Sequence, residues 1–153
     1  MKNVLVLCTG NSCRSQMAEA WIKYYSGDEA TVYSAGIEAH GLNSFAVKVM
    51  MDTFIDISGQ KSKTINDLPD IRFEYIITLC DNAKEKCPYF PGETVRLHKS
   101  FPDPAQFKGT DEEIIDAFTE LRDMIEDFCF DFVNTNIRSL IPDDLENLSN
   151  VYE

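Results

Sequence analysis

Residues 2–15 read Lys2-Asn3-Val4-Leu5-Val6-Leu7-Cys8-Thr9-Gly10-Asn11-Ser12-Cys13-Arg14-Ser15: an apolar run ending on a thiol, a loop of small residues, then an arginine. A helical pattern with Met17, Ala18, Trp21 and Tyr25 follows directly. A strand of this kind fixes the sulfur of Cys8. The loop Thr9, Gly10, Asn11, Ser12, Cys13 can curl so that successive backbone N–H groups converge on one anion. Arg14 adds a planar pair of donors that matches two oxygens of a tetrahedral oxyanion. The same positive field favours the thiolate of Cys8, the attacking form of a cysteine nucleophile, and Ser15 offers its hydroxyl to the sulfur. A cysteine closing a buried strand is by itself a small core residue. The arginine six positions on, between strand and helix, turns that reading toward an oxyanion-binding nucleophile.

The rest of the chain sets the context of this loop. At 153 residues, with 44% hydrophobic and 26% charged residues, it has the composition of one ordinary globular domain. Met1-Lys2 leads straight into the strand, and apolar runs such as Tyr75-Ile76-Ile77 are far too short for a membrane span. A cytoplasmic protein without membrane association is therefore expected, its five cysteines resting as thiols. The formal charge of −12 leaves no basic stripe for nucleic acid. It does not exclude an anionic substrate, because exposed charges are screened beyond about 10 Å and local donors decide binding.

Strand-like runs at Asn3–Cys8, Thr31–Ser34, Tyr75–Cys80 and Thr94–His98 alternate with helical patterns at Ser15–Tyr25, Ser44–Phe54, Thr64–Leu68 and from Asp111 onward. In the last, Ile114, Phe118, Leu121, Ile125, Phe128 and Phe132 recur at steps of four and three, behind a Thr110-Asp111-Glu112-Glu113 cap. This alternation predicts an α/β domain of right-handed βαβ units, a three-layer sandwich with a central four-stranded parallel sheet flanked by helices. Ligands of such sheets lie beyond the carboxyl ends of the strands, and Cys8 and Cys80 each close one.

Cys80 and Cys87 frame a second constellation, Thr78-Leu79-Cys80-Asp81-Asn82-Ala83-Lys84-Glu85-Lys86-Cys87-Pro88. Zinc held by Cys8, Cys13, Cys80 and Cys87 is disfavoured, since neither pair has the short spacing of a zinc site and no histidine compensates. A redox pair joined by a polar, mobile segment is the better reading. Asp103, between Pro102 and Pro104, is either a solvated turn acid or, beside a thiolate loop, a general acid. His40 and His98 lack partners at ligand spacing and read as structural; Cys13 reads as packing under the loop and Cys129 as core.

Cys8 through Ala20 (CTGNSCRSQMAEA), Tyr33 to Glu38, Thr78-Leu79-Cys80 with Cys87-Pro88, and Phe101 to Ala105 together resemble the thioredoxin-coupled arsenate reductases, which share the low-molecular-weight tyrosine phosphatase fold. The resemblance spans residues 2–132, which makes 1–132 the phosphatase-like reductase domain and 133–153 an acidic C-terminal extension in which Pro142 ends or bends a helix. It implies that arsenate sits in the loop of residues 8–15, that Cys8 attacks arsenic, and that Asp103 donates a proton to the departing oxygen. Cys80 and then Cys87 would resolve the resulting sulfur bonds, reduced thioredoxin would recycle the pair, and no bound cofactor or catalytic metal would be required. It also implies a monovalent-cation site at Asn11, Glu19 and Ser34 beside an aspartate whose place Lys63 takes here, so that the Lys63 ammonium is expected to replace the ion.

Two other readings stand beside this one. A tyrosine phosphatase needs only Cys8, Arg14 and Asp103, but phosphatases of this fold place an aromatic wall where Ala105 stands, and Cys80 and Cys87 would be idle. A non-catalytic redox sensor or binding module would need no such complete set.

Overall fold

The computed structural model describes residues 1–138, so the expectations for the acidic tail and Pro142 lie outside the described residues. Four strands, β1 (Lys2–Cys8), β2 (Ala30–Gly36), β3 (Tyr75–Thr78) and β4 (Val95–His98), form one parallel sheet in the order β2-β1-β3-β4. Among the described residues four α-helices accompany them: α1 (Arg14–Ser26), α2 (Ser44–Met51), α3 (Asp81–Lys86) and α4 (Asp111–Phe132). The expected α/β domain with a central four-stranded parallel sheet is present.

Val4, Leu5, Val6 and Leu7 of β1 are fully buried on both faces, as befits the central strand of a parallel sheet. Each such side chain contributes about 1.5–3 kcal/mol by leaving water. The pleat sends alternate residues to opposite layers. The Tyr75 ring meets Phe132 of α4 with centroids 5.3 Å apart, while Thr78 pairs with His98 beneath α3. On the long helix, Phe118, Leu121, Ile125, Cys129 and Phe132 are buried, and the Thr110–Glu113 capping box starts it as expected. The helix runs on into a π-turn, Val133–Ile137, whose Val133 and Ile137 are also buried, and Lys2 Nζ donates to the Asn136 carbonyl at 2.6 Å. The first residues of the expected extension thus pack on the core.

Three segments differ from the sequence reading. β3 ends at Thr78, so Cys80 lies two residues past the strand it was expected to close and caps α3 instead. α2 stops at Met51, and Phe54 sits 95% exposed with φ +65°, outside the helix. The segment between Cys80 and Cys87, expected as mobile, is the helix α3. Local chemistry explains it: Cys80 caps the first turn, Ala83 is buried, Asp81 opens the helix, and Lys84 and Lys86 close it.

Within the sheet β1 lies beside β3; the connection leaving β1 turns to β2 and the one leaving β3 turns to β4 on the opposite side, so the two diverge beside the carboxyl end of β1. Such a divergence opens a crevice, and the last residue of β1 is Cys8.

Candidate active site

The loop from Cys8 to Arg14 is held in shape by its own side chains. Asn11 takes φ +46°, a left-handed conformation that asparagine tolerates better than most residues, and is fully buried. Its Nδ2 donates to Ser15 Oγ at 2.8 Å and to Ser34 Oγ at 3.0 Å. With Ser15 Oγ accepting there, the Ser15 hydrogen is free for Cys8 Sγ, 2.9 Å away. Cys8 itself is 2% exposed.

A parallel relay serves the second thiol. Asn82 Nδ2 donates to Thr9 Oγ1 at 3.0 Å, leaving the Thr9 hydrogen for Cys80 Sγ at 3.3 Å. Cys80 Sγ also accepts the Ala83 backbone N–H at 3.4 Å. The two sulfurs therefore flank neighbouring loop residues at one edge of the sheet, as the sequence suggested.

A cavity of about 210 Å³ opens over the loop and is lined by Cys8, Arg14, His40, Asn43, Asp103 and Ala105, among others. Arg14, only 8% exposed, donates from Nη1 to the Phe101 carbonyl at 3.4 Å and places Nη2 3.8 Å from Asp103 Oδ1. Asp103 also accepts the Ala105 N–H at 3.0 Å, which fixes its carboxylate at the cavity rim, half exposed. Burial first, and then the adjacent Cys8, push the Cys13 thiol far above its ordinary range. Cys13 therefore stays protonated and packs as expected; Cys129, buried in α4, is raised by burial as well. All five cysteines are free thiols. Among the described residues no group of three or more His, Cys, Asp or Glu is placed to hold a metal ion, and no helix is long and apolar enough to cross a membrane.

Three residues have roles the sequence did not reveal. Gln16, fully buried, donates to both the backbone carbonyl and Oδ1 of Asn11 at 3.0 Å, and its Oε1 accepts from Gln60 Nε2 at 2.7 Å. A glutamine in the first turn of a helix reads as surface; the segment at residues 60–63 folding over it makes it a strut for the loop. His40, read as structural, stands in the cavity wall with Nε2 2.6 Å from Glu38 Oε2. It has room there because Gly10 carries no Cβ, which would come within 2.3 Å of the imidazole Nδ1. Asn43, in the same wall, caps α2 through its Oδ1.

Lys63 does not take a cation's place. Its backbone N–H donates to Asn11 Oδ1 at 2.9 Å and its carbonyl accepts from the Gly36 N–H at 2.9 Å. With the main chain bound on both sides, the ammonium turns outward to the Lys61 carbonyl at 3.2 Å. Glu19 instead meets Lys23, one helical turn on, at 3.6 Å. The contact expected of the ammonium is made by the backbone.

Gly36 closes the loop's other wall. A Cβ there would lie 2.2 Å from the Glu38 carbonyl oxygen, 2.7 Å from the Asn11 nitrogen and 2.8 Å from the Thr9 carbonyl oxygen, all main-chain atoms. Gly36→Ala is therefore expected to destabilise the chain by about 3 kcal/mol, lowering Tm by roughly 10 °C for a domain of this size. Thermal unfolding followed by circular dichroism measures this, and an unchanged Tm would contradict the packing described.

The family model described as low molecular weight phosphotyrosine protein phosphatase matches residues 3–141. An arsenate reductase of Bacillus subtilis (strain 168) is 50% identical over 134 residues, covering 88% of this chain and 96% of that protein. A solved arsenate reductase in its phosphate-binding state superposes with a TM-score of 0.69 at 26% identity, over 90% of this chain and 99% of the other. A thioredoxin-dependent arsenate reductase of Corynebacterium glutamicum gives a TM-score of 0.55 at 25% identity, over 84% of this chain and 62% of that one.

Proposed function

We propose that this chain, which belongs to the low molecular weight phosphotyrosine protein phosphatase family, is an arsenate reductase that passes electrons through Cys8, Cys80 and Cys87 and is recycled by thioredoxin. The observation that carries this reading is the second thiol at the loop: Cys80 Sγ hydrogen-bonded to Thr9, the residue that follows Cys8. A phosphatase has no use for it.

Arsenate enters the cavity against the loop of residues 8–15, its oxygens paired by backbone N–H groups and by Arg14, whose guanidinium is already steered by Phe101 and Asp103. The Cys8 thiolate attacks arsenic, and Asp103 gives its proton to the departing oxygen, which leaves as water. Cys80 then attacks Cys8 Sγ; the As–S bond breaks with its electron pair on arsenic, which leaves as arsenite. Cys87 next attacks Cys80 and releases Cys8 as a thiolate. The Cys80–Cys87 disulfide that remains goes to thioredoxin.

The last exchange requires movement. Cys80 and Cys87 are the two caps of α3, so seven residue steps separate their Cα atoms by about 10 Å along a helix axis. A disulfide needs about 4.4–6.8 Å. α3 must therefore open, carrying Cys87 toward the loop.

Steady-state assays test the reading. Arsenate with thioredoxin and its reductase should turn over many times, whereas an aryl phosphate should be cleaved weakly. Vigorous phosphatase activity with no arsenite formed would assign the chain to the alternative, a tyrosine phosphatase using Cys8, Arg14 and Asp103.

A further inference from the structure

Arg96 and His98 stand two residues apart on β4, hence on one face of the sheet, and each reaches an end of α3. His98 Nε2 meets Asp81 Oδ1 at 3.0 Å at the start of the helix, its Nδ1 held by Thr78 at 2.8 Å. At the far end Arg96 Nη1 donates to Cys87 Sγ at 3.3 Å. Between helix and strand lies a cavity of about 410 Å³, rimmed by Lys84, Cys87, Arg96 and His98. Among the described residues Arg96 forms no ion pair with a carboxylate. That is notable in a chain of net charge −12, where an exposed guanidinium has many acids to choose from. The acid bonded within this group, Asp81, is taken by His98.

We propose that Arg96 stabilises the thiolate of Cys87, the form in which that residue attacks the Cys8–Cys80 disulfide. The guanidinium cannot lose its charge near neutral pH and donates along a fixed direction. A sulfur that accepts such a bond gains most when it is anionic, and the thiolate is the nucleophile in disulfide exchange. Lys84, on the helix, adds a further positive charge at the rim of the same cavity. The proton of Cys87 passes to solvent; the Cys87–Cys80 bond forms as the Cys80–Cys8 bond breaks, and the electron pair leaves on Cys8. Once Cys87 is oxidised the guanidinium loses its anionic partner, which favours release of the last turn of α3. This role rests on the thiol order proposed above.

The test reads Cys87 itself. Alkylation by iodoacetamide, followed on the Cys87 peptide by mass spectrometry as a function of pH, should be about fivefold slower near pH 7 in Arg96→Gln and displaced to higher pH, with Arg96→Lys in between. In Arg96→Gln the first equivalent of arsenite should appear at the unmodified rate while the Cys8–Cys80 disulfide accumulates. An Arg96→Gln profile identical to the unmodified one overturns the proposal. Slower alkylation with no Cys8–Cys80 species in any variant upholds the effect on Cys87 and places the fault with the thiol order.

Discussion

Replacing Cys8 by serine is expected to lower arsenite formation by at least about a thousandfold, the largest effect of any single substitution in this chain. The serine side chain would occupy the same place at the end of β1, within the reach of Ser15 at 2.9 Å and beside Arg14. An alcohol is almost wholly protonated at neutral pH and attacks poorly. Even an ester formed on it would stop the reaction, because no disulfide with Cys80 can follow and arsenic keeps its oxidation state. The loop should still bind oxyanion, since Asn11, Gln16 and Lys63 hold its shape independently of the sulfur. Arsenite release measured against thermal stabilisation by phosphate separates these two properties. Turnover within tenfold of the unmodified protein would remove Cys8 from the proposed role.

Cys87→Ser should behave differently. It should yield one equivalent of arsenite per chain and then stop, even with thioredoxin in excess. Cys8 is 2% exposed and Cys80 7% exposed, so a disulfide between them lies beyond the reach of a second protein's thiols. Cys87, partly exposed at the end of α3, is the thiol able to carry that bond outward. The arrested chain should be lighter than the starting material by two hydrogens, with the loss mapping to the peptides of Cys8 and Cys80. Sustained multiple turnover by this variant would break the proposed order.

The sequence made the nucleophile loop and the sheet legible because both depend on residue type. A buried parallel strand must be a continuous apolar run, as Val4–Leu7 is, and an anion loop ending in a helix must be built of small residues and an arginine. α3 was not legible. Five polar residues and a single alanine give no hydrophobic period; the helix is specified by a thiol cap and by contacts to Thr9, Arg96 and His98, which are distant in the chain. Lys63 misled for a related reason. A sequence displays side chains, whereas the atom that meets Asn11 is the residue's backbone nitrogen. Gln16 and His40 escaped notice because their surroundings arise from segments around residues 60 and 10, which the fold, and not local pattern, brings over them.

The sulfur of Cys80 accepts the Ala83 N–H, so one atom is both reagent and punctuation mark of a secondary-structure element. A thiol that enters a disulfide with Cys8 must turn toward its new partner, and the helix surrenders its starting bracket in the same event. Six residues lie far below the length at which a helix persists in water without outside support. In the proposed cascade the chemistry therefore carries its own clock: bond formation at one sulfur removes the brace that keeps the next sulfur away. Cys87 is withheld while substrate is still bound and delivered once arsenic has gone, with no separate signal to time it.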